Sequence, residues 1–128
     1  MFNHILILDD SQDILNILQE VLTDEGYRVT ALNHCENILQ TIHEHQPHLV
    51  VLDFLLHGIN GGELCHQIKT NPLTSHLPVI ILSGYPRVLE SLGTYGSDSF
   101  IAKPFSLDEL FGTVSNFLPA PAAMAAFQ

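Results

Sequence analysis

The chain has 128 residues, 46% of them hydrophobic, enough for one buried core and one domain. Fourteen Asp and Glu against four Lys and Arg give a formal net charge of −10, a balance that argues against direct contact with nucleic acid or anionic lipid. No stretch approaches the roughly 18 apolar residues of a membrane span, and Cys35 and Cys65 are expected to be free thiols of a cytoplasmic protein.

The elements follow in chain order. Met1 to Leu8 holds no Lys or Arg and meets Asp9 and Asp10 at once, so it reads as the first structural element and not as a secretory leader. His4–Leu8 (HILIL) is the first predicted strand. Ile14, Leu15, Leu18, Val21 and Leu22 then repeat at helical spacing, with Ser11 as N-cap and Gly26 as stop. Arg28–Leu32 is a weaker strand, suited to a sheet edge. A second helix is predicted over Cys35–Glu44, ending before Pro47, and a third strand over His48–Leu52. A third helix over Gly62–Thr70 buries Leu64, Cys65 and Ile68 and ends near Asn71-Pro72.

Pro78 precedes the fourth strand, Val79–Leu82, where a missing N–H is tolerated. The stretch Pro86 to Gly96 is the weakest helix, and Ser99–Ala102 is a second edge strand. Ser106 caps the last helix, Asp108 and Glu109 sit in its first turn, and Leu107, Leu110, Phe111 and Val114 form its inner stripe. Residues 1–118 read as one domain and 119–128 (PAPAAMAAFQ) as a Pro/Ala tail or linker stub. Strands alternating with helices indicate βα units on a parallel sheet. The continuously apolar first, third and fourth strands belong at its centre.

In such a sheet ligands bind beyond the carboxyl ends of the strands. Those ends carry Asp9 and Asp10, then Asp53, Ser83 and Lys103. One strand-end acid is often only a turn former. Polar or charged residues closing three apolar central runs and an edge run are another matter. Three carboxylates at one spot repel each other unless a cation joins them, and oxygen-only ligands favour Mg²⁺. A lysine and a hydroxyl opposite them suit an incoming anion, which together describes phosphoryl transfer to an aspartate. The eight histidines do not make a competing metal site: His43 and His45 point to different helix faces, and Pro47 separates them from His48. Gly58, Gly61 and Gly62 spell no nucleotide-binding loop.

From about Asn3 to Leu118 the sequence resembles the receiver domain of two-component response regulators. The resemblance rests on Asp9-Asp10, Asp53 in VVLDFLL, Ser83 in VIILSG and Lys103-Pro104 in FIAKPF, with Phe100 three residues before the lysine and Gly58 and Gly61 after the acceptor. It implies a flavodoxin-like (βα)₅ fold, a doubly wound five-stranded parallel sheet of order 2-1-3-4-5. It further implies that Asp53 is the phosphoacceptor and that Asp10, Asp53 and the Leu55 backbone carbonyl hold Mg²⁺, with Asp9 acting through water. Lys103 and Ser83 would bind the phosphoryl oxygens, Ser83 and Phe100 would form the switch, and the peptide before Pro104 would be cis.

The implied partners are a sensor histidine kinase or phosphotransfer protein and a downstream protein or output domain. They would meet a face made by the fourth helix, fifth strand and fifth helix (α4-β5-α5), through which the chain could also form a homodimer. The output is binding and not turnover, so the chain is expected to be no enzyme beyond its own phosphorylation and slow dephosphorylation. Two features depart from the family: His57 replaces its usual proline, and the interval from Ser83 to Lys103 is short. A rival reading is an Mg²⁺-dependent phosphohydrolase of haloacid-dehalogenase type, which needs a second acid where Leu55 stands. Another is a receiver used only as an unphosphorylated interaction module, against which the intact polar set argues.

Overall fold

The computed structural model describes residues 3–56, 59–84 and 96–119. Five parallel strands form the sheet: β1 (His4–Leu8), β2 (Arg28–Leu32), β3 (Leu49–Asp53), β4 (Val79–Ser83) and β5 (Ser99–Ala102), in the order β2-β1-β3-β4-β5. The apolar β1, β3 and β4 occupy its centre and the mixed β2 and β5 its edges, as continuous apolar runs require when both faces are covered. Side chains alternate across the sheet. Leu6, Leu8, Val50, Leu52 and Ile81 face α2 (Ile38–His45) and α3 (Gly61–Thr70) in one core. Ile5, Ile7, Leu49, Val51, Ile80 and Leu82 face α1 (Gln12–Asp24) and the C-terminal helix (Leu107–Phe117) in the other.

Local signals set most boundaries. Ser11 and Ser106 cap their helices by accepting from the N–H groups of Ile14 and Glu109. Gly26 adopts φ 100°, a left-handed conformation that ends α1 and turns the chain into β2. The second helix differs from expectation. It starts at Ile38, because the Asn37 side chain accepts from Gln40 N–H and caps there, leaving Cys35 and Glu36 outside it. Leu107 also departs from the predicted inner stripe: it is 46% exposed, whereas Leu110 and Val114 are fully buried. It lines a surface groove beside Lys103 with Ile14 and Ile17 instead of entering the core.

A two-residue ladder pairs Leu55–Leu56 with Ile59–Asn60 before α3, an element the sequence pattern did not announce. Lys69 Nζ donates to the Leu77 carbonyl at 2.9 Å and to Asp98 Oδ2 at 3.0 Å, and that carboxylate accepts from Val79 N–H, fastening the end of α3 to the entries of β4 and β5. At the same end, Tyr27 Oη donates to the Leu118 carbonyl at 2.6 Å. Cys35 and Cys65 are free and buried. No helix among the described residues is long and apolar enough to cross a membrane. The predicted helix before Gly96, the His57 and Gly58 positions, and the tail from residue 120 lie outside the described residues.

Candidate functional site

Parallel register brings four strand ends to one edge. Asp9 follows β1, with its N–H bonded to the Leu32 carbonyl at 3.2 Å. Asp53 ends β3 beside Leu82, Ser83 ends β4 beside Ala102, and Lys103 follows β5 with its N–H donating to the Ser83 carbonyl at 2.7 Å. Carboxylate oxygens of Asp9, Asp10 and Asp53 lie within 4.8 Å of one another. Lys103 Nζ donates to Asp9 Oδ2 and to Asp53 Oδ1, both at 3.0 Å. The Lys103–Pro104 peptide bond is cis.

The three acids are not equivalent. Asp9 is fully buried, and both its oxygens are engaged, Oδ1 by the Ser11 N–H at 2.9 Å and Oδ2 by Lys103. Asp10 is half-buried and Asp53 is 6% exposed. Burial pushes the Asp53 carboxyl up to about 6, with Asp9 and Asp10 adding to the rise and Lys103 opposing it. Burial pulls the Lys103 ammonium down, but its bonds to Asp53 and Asp9 outweigh this and its pKa is raised. Lys103 thus meets two of the three carboxylates. The gathered carboxylates and their all-oxygen donor set fit a hard divalent cation.

Ser83 is buried beside Lys103, whereas Phe100, on the outer strand, is 38% exposed. Leu55 enters the short ladder directly after Phe54. Around Lys103, the side chains of Ile14, Ile17, Pro104, Phe105 and Leu107 line a shallow apolar groove, with Ile17 and Leu107 about half exposed. Asn60, unremarked in the sequence, caps α3 by accepting from Gly62 N–H at 2.6 Å. Its signal was present as an Asn just before a helix. Among the described residues, no histidine joins a metal-sized cluster.

The family model of the response regulator receiver domain matches residues 5–115. The phosphate regulon transcriptional regulatory protein PhoB of Rhizobium meliloti is 31% identical over 121 residues, which are 92% of this chain and 53% of PhoB. The chain therefore spans about half the length of this curated relative. A putative response regulator from Chloroflexus aurantiacus superposes with TM-score 0.83 at 33% identity, covering 92% of this chain and 98% of that one. Response regulator TrrA of Thermotoga maritima, solved in complex with Mg²⁺-BeF, gives 0.81 at 29% identity, covering 91% and 99%.

Proposed function

This chain belongs to the response regulator receiver domain family, a family of phosphorylation-dependent signalling switches, and we propose that Asp53 is the residue through which it accepts the phosphoryl group. The observation that carries this reading is the single ammonium of Lys103 held 3.0 Å from both Asp9 and Asp53 at the edge where the strands end. With a pKa of about 6, Asp53 is mostly ionised at neutral pH and able to attack. One of its oxygens bonds to phosphorus while the P–N bond of a partner's phosphohistidine breaks. The bonding pair leaves on the imidazole, which takes up a proton.

A bound Mg²⁺ would be held by Asp10, Asp53 and the Leu55 carbonyl, with Asp9 acting through water, and would supply charge that screens carboxylate from phosphoryl oxygens. Asp9, already saturated by Ser11 N–H and Lys103, suits a supporting place better than direct ligation. Lys103 turns from Asp53 to the new phosphoryl group, and the Ser83 hydroxyl donates to it. Ser83 moving inward vacates space for Phe100, altering the surface around β5. Binding is the output, with self-catalysed phosphorylation and slow dephosphorylation as its only chemistry.

The phosphodonor is a sensor histidine kinase or phosphotransfer protein, and the apolar groove of Ile17 and Leu107 beside Lys103 suits its approach. The downstream partner is a separate protein or an output domain, engaged through the face around β5, which also serves a homodimer. The test is labelling with acetyl phosphate or a kinase. Acid-labile phosphate should enter the wild type only with Mg²⁺ present and not enter Asp53→Asn. Undiminished labelling in that variant, or in excess chelator, ends the reading.

A further inference from the structure

Gly61 opens α3 directly against the backbone of Asp53 and Phe54. A Cβ placed on it would overlap the Asp53 carbonyl oxygen and stand 2.9 Å from the Asp53 carbonyl carbon and 3.1 Å from Phe54 Cα. All three are backbone atoms, so none can swing aside as a flexible side chain would. The Gly61 N–H donates to the Phe54 carbonyl at 2.7 Å, and Asn60 Oδ1 pins the next amide of the helix. Among the described glycines, positive φ occurs at Gly26 and Gly96 and not at Gly61, so the requirement at this position is for space and not for a special conformation. Gly84 and Gly112, by contrast, have open room for a side chain.

We infer that Gly61 is a positioning residue for Asp53: the bare first turn of α3 seats the acceptor's peptide and fixes where its carboxylate stands relative to Lys103. The inference rests on the proposed phosphoacceptor role of Asp53. Any side chain here would force the two backbones apart by about 1 Å, a displacement that can cost a reaction about 100-fold when it reaches the reacting group. The same contact runs in reverse, so loading Asp53 should tighten the start of α3.

The experiment compares Gly61→Ala with Leu64→Ala, which removes a buried α3 side chain one turn further along the helix and leaves Gly61 in place. Two quantities are read below both melting temperatures: amide resonances of Asp53 and Phe54 in the metal-free protein, and the labelling rate from acetyl phosphate with Mg²⁺. Gly61→Ala should shift both resonances and slow labelling at least about ten-fold, while Leu64→Ala stays within about two-fold despite an equal or larger loss of melting temperature. A Gly61→Ala rate within about two-fold of wild type, or an equal fall in Leu64→Ala, overturns the inference.

Should Gly61→Ala not fold, hydrogen exchange on the wild type decides. Mg²⁺ with beryllofluoride should slow exchange of the Gly61 amide more than that of Ile68, and equal slowing refutes the coupling. If the wild type itself takes no label, the phosphoacceptor reading fails. The metal-free resonances then still decide whether Gly61 positions Asp53.

Discussion

Asp53→Asn should stabilise the metal-free protein at neutral pH. The Asp53 carboxyl is raised from 3.8 to about 6 in the fold, so between these values the folded state binds more protons than the unfolded chain. Stability therefore falls as pH rises through this window, and the unfavourable contribution is complete above it. The difference corresponds to about 3 kcal/mol at pH 7.5, an upper value because Asn surrenders the charge-assisted bond from Lys103 while its amide oxygen can still accept. For a domain of this size that is up to roughly 10 °C in melting temperature. Thermal melts in chelator, from pH 4 to pH 7.5, read it directly. The gap between variant and wild type should be near zero at pH 4, open through pH 5 to 6 and level off above 7. Saturating Mg²⁺ should narrow it by stabilising only the wild type. A metal-free variant that melts at or below the wild type at pH 7.5 would refute the electrostatic reasoning.

Millimolar Mg²⁺ should raise the wild-type melting temperature. Asp10→Asn should raise the metal-free value and weaken that response, and a curve indifferent to Mg²⁺ counts against an assembled cation site. At the opposite end of the sheet, His48 Nδ1 accepts from the His4 backbone N–H at 3.2 Å, an acceptor lost if that nitrogen is protonated. Burial, with Arg28 adding, lowers the pKa of both His4 and His48 below 6.5. Their contribution is thus fully present above pH 6.5 and lost as pH falls below it. His48→Asn keeps an acceptor that does not titrate, and its melting temperature should fall less than the wild type's from pH 7 to 5.5; equal falls contradict the assignment. Ile17→Glu and Leu107→Glu should slow phosphoryl transfer from a protein donor about ten-fold while leaving acetyl phosphate labelling unchanged, the loss of about 1.4 kcal/mol at a docking hot spot. Equal slowing with both donors would place their effect in the site itself.

The strands were legible because their apolar runs are short, continuous and bounded by turn residues, and the site because each central run ends on a polar side chain facing one edge. Ser11 and Ser106 declared their helices. Other features depend on three-dimensional relations that periodicity does not carry. The Asn37 cap competes with an apolar Cys35 that looks helical in the sequence yet is buried ahead of the helix. Leu107 keeps the spacing of the inner stripe but lines the surface groove beside Lys103, half exposed. The ladder of Leu55–Leu56 with Ile59–Asn60 is too short for any repeat to register. Gly61 reads as one glycine among several until the Asp53 carbonyl beside it is seen.

Lys103 reaches across 94 residues of chain to Asp9 and across 50 to Asp53. The site consequently has no local precursor: no short segment of the chain contains it, and an unfolded molecule offers only dispersed carboxylates. Cutting the backbone between α3 and β4 would leave the acids on one piece and the hydroxyl and ammonium on the other, each without the opposite charge. High-affinity cation binding by such a pair of fragments would therefore report their reassembly, making the ion a probe of the closed sheet as a whole.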